Sequence, residues 1–73
     1  MSMNHKIKSV ESYKVTKTCS FKGVLYHEGD QLYIEDEDGT HPANKRNVYL
    51  GKLLIDQLRN DEFTEFSSII ELI

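Results

Sequence analysis

Residues 21–34 read FKGVLYHEGDQLYI, and the spacing Phe21-x-Gly23-x-x-Tyr26-x-x-Gly29-Asp30 constrains the fold more than any other stretch. Glycine reaches positive φ without a Cβ clash, so Lys22-Gly23 predicts a two-residue hairpin turn. Residues 24–26 then form a short returning strand. Gly29 allows a second reversal, and Asp30 is placed to accept a hydrogen bond from a nearby amide, as Asp does in turns. Beyond it Leu32 and Ile34 alternate with Tyr33, which predicts a strand with both aliphatics inward. The stretch is a β-meander on which the flanking segments must pack.

Upstream, Tyr13, Val15, Cys19 and Phe21 alternate with Lys14, Thr16, Thr18 and Ser20, predicting strand over residues 13–21 with Lys17 at an edge. Cys19 is then a small core residue, the usual fate of an unpaired cysteine. Residues 1–12 have no sustained period and are expected to be a mobile N-terminal tail, leaving 13–73 as one small β-rich domain; the alternative is that Ile7 and Val10 add a short strand or half-turn. Downstream, Asp38-Gly39 predicts a hairpin turn at an acidic tip, and residues 41–47, HPANKRN, a polar connection. Residues 48–50 read as a short strand. Leu50, Leu54 and Leu58 recur every four residues with Leu53 beside them, predicting a helix over 52–59 capped by Asn60. Residues 62–66 read as a closing strand. The stretch SSIIELI, residues 67–73, suits either form: Phe63, Phe66, Ile70 and Ile73 share a helical face, whereas β-branched isoleucines favour strand.

A chain of 73 residues forms at most one domain. It buries only about 60% of the surface it exposes when unfolded, so its own core leaves a thin margin of stability. Chains of this size gain stability from disulfides, metals or association. Cys19 is the only cysteine, which closes the first route. Cys19, His5, His27 and His41 show no paired ligand spacing, so no metal is expected. Association remains open. Nine basic against twelve acidic residues, a net charge of −3, argue against a duplex-DNA binder. No apolar run approaches the roughly 18 residues that span a bilayer. Lys6 and Lys8 precede no apolar run, so no secretory signal is expected, and the lone cysteine fits a reducing cytoplasm.

Charge falls in blocks. Residues 25–41 carry Glu28, Asp30, Glu35, Asp36, Glu37 and Asp38 with no Lys or Arg, between two segments of net positive charge. The acidic run tempts a calcium reading, but placing Gly39 at the sixth position of a calcium loop puts Ile34 and Lys45 where oxygen ligands belong. No phosphate loop, nucleophile elbow or zinc-protease motif is present, so no catalytic residue, cofactor or enzyme activity is expected. Tyr13, Phe21, Tyr26 and Tyr33, interleaved with Lys14, Lys17 and Lys22, could form a stacking face for single-stranded nucleic acid. Against that, Tyr13 and Phe21 fall on the predicted core face and the acidic block repels phosphate.

The stretch YKVTKTCSFKGVLYHEGDQLYI, residues 13–34, resembles a pattern met in small phage-encoded β-proteins: a strand, F-x-G-x-x-Y, then x-x-G-D and another strand. The resemblance implies an SH3-like barrel and an accessory role in virions or in host takeover. The expected fold is therefore mostly β with one short helix, either a small SH3-like barrel or a strongly bent antiparallel sheet. The expected function is a non-enzymatic module that binds another protein and inhibits or redirects it. The acidic tip Glu35, Asp36, Glu37 and Asp38 would meet a basic surface, and Ile69, Ile70, Leu72 and Ile73 would give apolar contact. The alternatives are a self-assembling structural protein, joined through residues 67–73, and a single-strand-binding barrel.

Overall fold

The computed structural model describes residues 9–36 and 44–73. Seven strands and one α-helix follow in the order β1 (Ser9–Val15), β2 (Cys19–Phe21), β3 (Val24–Tyr26), β4 (Gln31–Asp36), β5 (Lys45–Leu50), β6 (Leu53–Arg59), α1 (Asn60–Phe66) and β7 (Ile70–Leu72). A 3₁₀ turn, Ser67–Ile69, links α1 to β7. Five strands form an antiparallel sheet in the order β6-β5-β4-β1-β7, and β2 and β3 form a separate two-stranded ribbon. The described residues are mostly β with one short helix, and the sheet stays open instead of closing into a barrel.

The meander folds as its residues dictate. Lys22 at φ 52° and Gly23 at φ 80° make the two-residue turn whose backbone twist suits a hairpin. Gly29, at φ 93°, donates its N–H to Val15 O, and Asp30 Oδ2 accepts the N–H of His27 at 3.1 Å. In β4, Leu32 and Ile34 are buried while Tyr33 is exposed. These two join Val15, Val48, Leu58 and Ile70 on one face of the sheet, and Tyr26 and Phe66 close over them from the hairpin and the helix. The Phe66 ring lies 5.0 Å from Tyr26 and 5.1 Å from Phe21, centroid to centroid, so hairpin and helix share one aromatic contact.

Several expectations are corrected. Strand does not run through residues 13–21. After Val15 the chain leaves the sheet, because Val15 exchanges its backbone bonds with Gly29 and Asp30 while Thr18 Oγ1 accepts the N–H of Glu28. The tail expected over residues 1–12 overlaps β1, where residues 9–12 pair with β4; Ser9, Val10 and Glu11 are exposed, so no apolar period marks them. Residues 1–8 lie outside the described residues.

The third correction concerns residues 52–59, which form strand β6 and not a helix. Val48 pairs with Asp56, but Tyr49 pairs with Leu54, so Ile55 is an extra residue on β6. A bulge of this kind reverses the alternation of faces. Leu58 therefore points into the core while Leu54 lies on the opposite face beside Tyr49, and the four-residue spacing of leucines is a coincidence of the bulge. The helix lies just beyond, over the residues expected to hold a cap and a strand. Glu62 Oε1 accepts the N–H of Arg59 at 2.9 Å and opens it, and Phe63 and Phe66 turn one face inward.

Candidate functional site

The residues expected to bind a partner separate into groups. Glu35 and Asp36 end β4 and stitch it to its neighbour. Asn47 Nδ2 donates to Glu35 Oε1 at 2.8 Å, and Gln57 Nε2 donates to Asn47 Oδ1 at 2.9 Å, a polar row across β4, β5 and β6. Asp36 accepts Asn44 Nδ2 at 2.8 Å and lies 3.4 Å from the Arg46 guanidinium, which stacks 4.4 Å above the Phe63 ring. Glu37 and Asp38 lie outside the described residues. Ile70 is buried in the core and Ile69 packs against it, so neither is available for docking. Leu72 and Ile73 are 56% and 69% exposed on and beside β7, an edge strand.

The aromatic residues of the single-strand reading do not form a platform. Tyr26 is buried, Phe21 lies against Phe66, and Tyr13 meets Phe63 edge-on at 6.3 Å. Cys19 is half-buried in β2, and His27 is exposed in its turn.

What distinguishes the surface is the contrast between the two edges of the sheet. An edge strand presents unpaired N–H and C=O groups that can template another strand. On β6, the residues whose backbone turns outward beyond the bulge are capped from within. Gln57 N–H donates to Asp56 Oδ1 at 2.8 Å, Gln57 O accepts Lys22 Nζ at 3.2 Å, and Arg59 N–H goes to Glu62. Only Leu54 is left ahead of the bulge, and the irregularity at Ile55 breaks its spacing from the next outward residue.

On β7 the pattern is open. Thr16 N–H donates to Ile69 O and Ile73 N–H to Ser12 O, so Lys14 and Glu71 between them form the bonded pair facing β1. Alternation then turns the N–H and C=O of Leu72, and the C=O of Ile70, away from the sheet. Among the described residues no hydrogen bond caps these groups.

One lysine ties the cap on β6 to the hairpin. Lys22 Nζ lies 3.1 Å from Glu62 Oε1 and 3.5 Å from Asp56 Oδ1, besides its bond to Gln57 O. The hydrogen bond to Glu62 leads in holding the Lys22 ammonium above its ordinary pKa, helped by the charge of Asp56. The Arg59 amide, followed by Lys22, holds the Glu62 carboxyl below the usual value of 4.5. Beneath the clamp, burial pushes the Tyr26 phenol up to about 12, with the Asp56 charge adding to it. Nothing local in the sequence signals this arrangement, since Lys22 meets residues about 35 to 40 positions away.

Shallow depressions lie among the described residues. One of about 350 Å³ runs along Leu54, Ile55, Asp56 and Gln57; another, of about 180 Å³, lies among Lys14, Thr16, Glu28 and Glu71. Among the described residues no three His, Cys, Asp or Glu side chains converge on a point that could hold a metal. No helix there is long and apolar enough to cross a membrane. Compared with known proteins, this chain matches no family model, no curated protein and no solved structure.

Proposed function

We propose that this chain is a non-enzymatic protein-binding module whose contact element is the open edge of β7, with Leu72 and Ile73 as its apolar anchors. In this reading an extended segment of a larger protein adds as a further strand. Main-chain hydrogen bonds hold it and alternate side chains select it, the mode known as strand addition. Following the resemblance of residues 13–34, the partner is a host protein in the bacterial cytoplasm, and the chain is a phage-type accessory factor that inhibits or redirects it. The supporting observation is the asymmetry of the edges: three hydrogen bonds cap β6 beyond its bulge, whereas Leu72 presents two unpaired backbone groups and an exposed side chain.

The test is affinity capture from nuclease-treated bacterial lysate with N-terminally tagged protein, alongside Leu72→Asp and Leu53→Asp. Both leucines are more than half exposed, so neither change empties the core. The reading expects one stoichiometric protein on the native chain and on Leu53→Asp, and its loss on Leu72→Asp. Equal capture by all three would remove β7 as the contact. A second reading, self-assembly, draws on the same open edge.

A further inference from the structure

Resting on β7 as the pairing edge, we infer that its occupant in the isolated protein is β7 of a second copy, joined antiparallel about a two-fold axis through Leu72. The hydrogen-bond pattern selects this register. Only even-numbered residues of β7 turn their backbone groups outward, so a bonded pair across the axis must join even to even. With Leu72 on the axis, each Leu72 N–H donates to the other Leu72 C=O, and both outward groups are satisfied reciprocally.

The neighbouring registers are worse. Centring on Glu71 sets two carboxylates directly opposite each other, an unfavourable cross-strand pair. Centring on Ile70 drives Leu72 of one copy against the 3₁₀ turn Ser67–Ile69 of the other. With Leu72 on the axis, Glu71 instead faces Ile73 of the second copy and keeps Lys14 directly across on its own sheet. Charge therefore does not oppose the pairing. The exposed Leu72 side chains meet on the face that carries Tyr13 and the helix.

Because β6 is capped, assembly stops at two. Identical β7 edges related by a two-fold axis close the assembly, and β6, the other edge of the five-stranded sheet, is capped beyond its bulge. A contact between strands this short falls below the roughly 1,200 Å² of a stable interface, so the dimer is weak and concentration-dependent. That weakness lets a partner strand displace the second copy.

Sedimentation equilibrium of the full chain decides the matter, over roughly 10 µM to 1 mM, where sub-standard interfaces assemble. The native chain should pass from the mass of one copy towards that of two. Leu72→Pro removes only an N–H that points away from β1 and should raise the dissociation constant at least about tenfold. Leu72→Asp, which opposes two carboxylates on the axis, should do the same, and Leu53→Asp should behave as native. A native chain monomeric throughout, growth beyond two copies, or unimpaired dimers from both Leu72 variants would overturn the inference. A monomeric native chain that still captures a partner through Leu72 would sink the dimer and leave the proposed function standing. A dimer without capture would do the reverse.

Discussion

Lys22 occupies a backbone conformation that lysine rarely adopts, with φ at 52°. For a residue with a Cβ the left-handed region costs about 1–2 kcal/mol, and Asn or Gly would relieve it. Lysine is tolerated there because its ammonium spans the gap to Glu62, Asp56 and Gln57 O, joining hairpin, sheet and helix. Two local terms therefore oppose each other, and Lys22→Asn separates them. If the clamp outweighs the strain, this variant unfolds at lower urea than the native chain despite its easier turn; a higher midpoint would show that strain dominates. The pH dependence has a definite sign. Glu62 titrates below 4.5 when folded, so its contribution is complete above that pH and is lost as pH falls through the lower folded value. Lys22 titrates above 10.5 when folded, so its contribution is complete below that pH and is lost as pH rises through the higher value. Glu62→Gln should flatten the acid limb of the urea midpoint against pH, and an unchanged limb would count against the clamp.

At the scale of elements, α1 is only seven residues long and owes its place to packing and not to propensity. Phe66 is fully buried under Tyr26 and Phe21, whereas Phe63 is half-buried between Tyr13 and Arg46. Phe66→Ala should cost about 3–5 kcal/mol in chemical denaturation, near the whole stability of so small a domain, and Phe63→Ala clearly less. Equal losses would mean that the helix is not anchored through Phe66. The same elements explain what was legible in the sequence. Both turns of the meander were readable because Gly23, Gly29 and Asp30 act within a few residues of themselves. The strand β4 was readable because Leu32, Tyr33 and Ile34 alternate without interruption. Strand β6 was not, since one bulged residue hid its period and aligned Leu54 with Leu58 as a helix would. Helix α1 was missed because two short turns show only Phe63 and Phe66, a spacing that means little alone. Of the expected contact residues, Leu72 and Ile73 lie at the surface, while Ile70 went to the core, because β7 pairs with a strand nearly sixty positions away.

At the scale of the whole molecule, a small open sheet has two edges, and this one treats them differently. Its β6 edge is bent by a bulge and capped through Lys22, Asp56 and Glu62, so the clamp that holds the hairpin also removes a pairing surface. Its β7 edge offers Leu72, the proposed contact for both the second copy and the partner. Amide hydrogen exchange at increasing protein concentration tests that claim most directly. The Leu72 amide should exchange fast in dilute solution and gain protection with concentration, while Gln57 and Arg59 stay protected throughout. A Leu72 amide as slow at high dilution as that of Glu71, or concentration-dependent protection appearing on β6 instead, would contradict it.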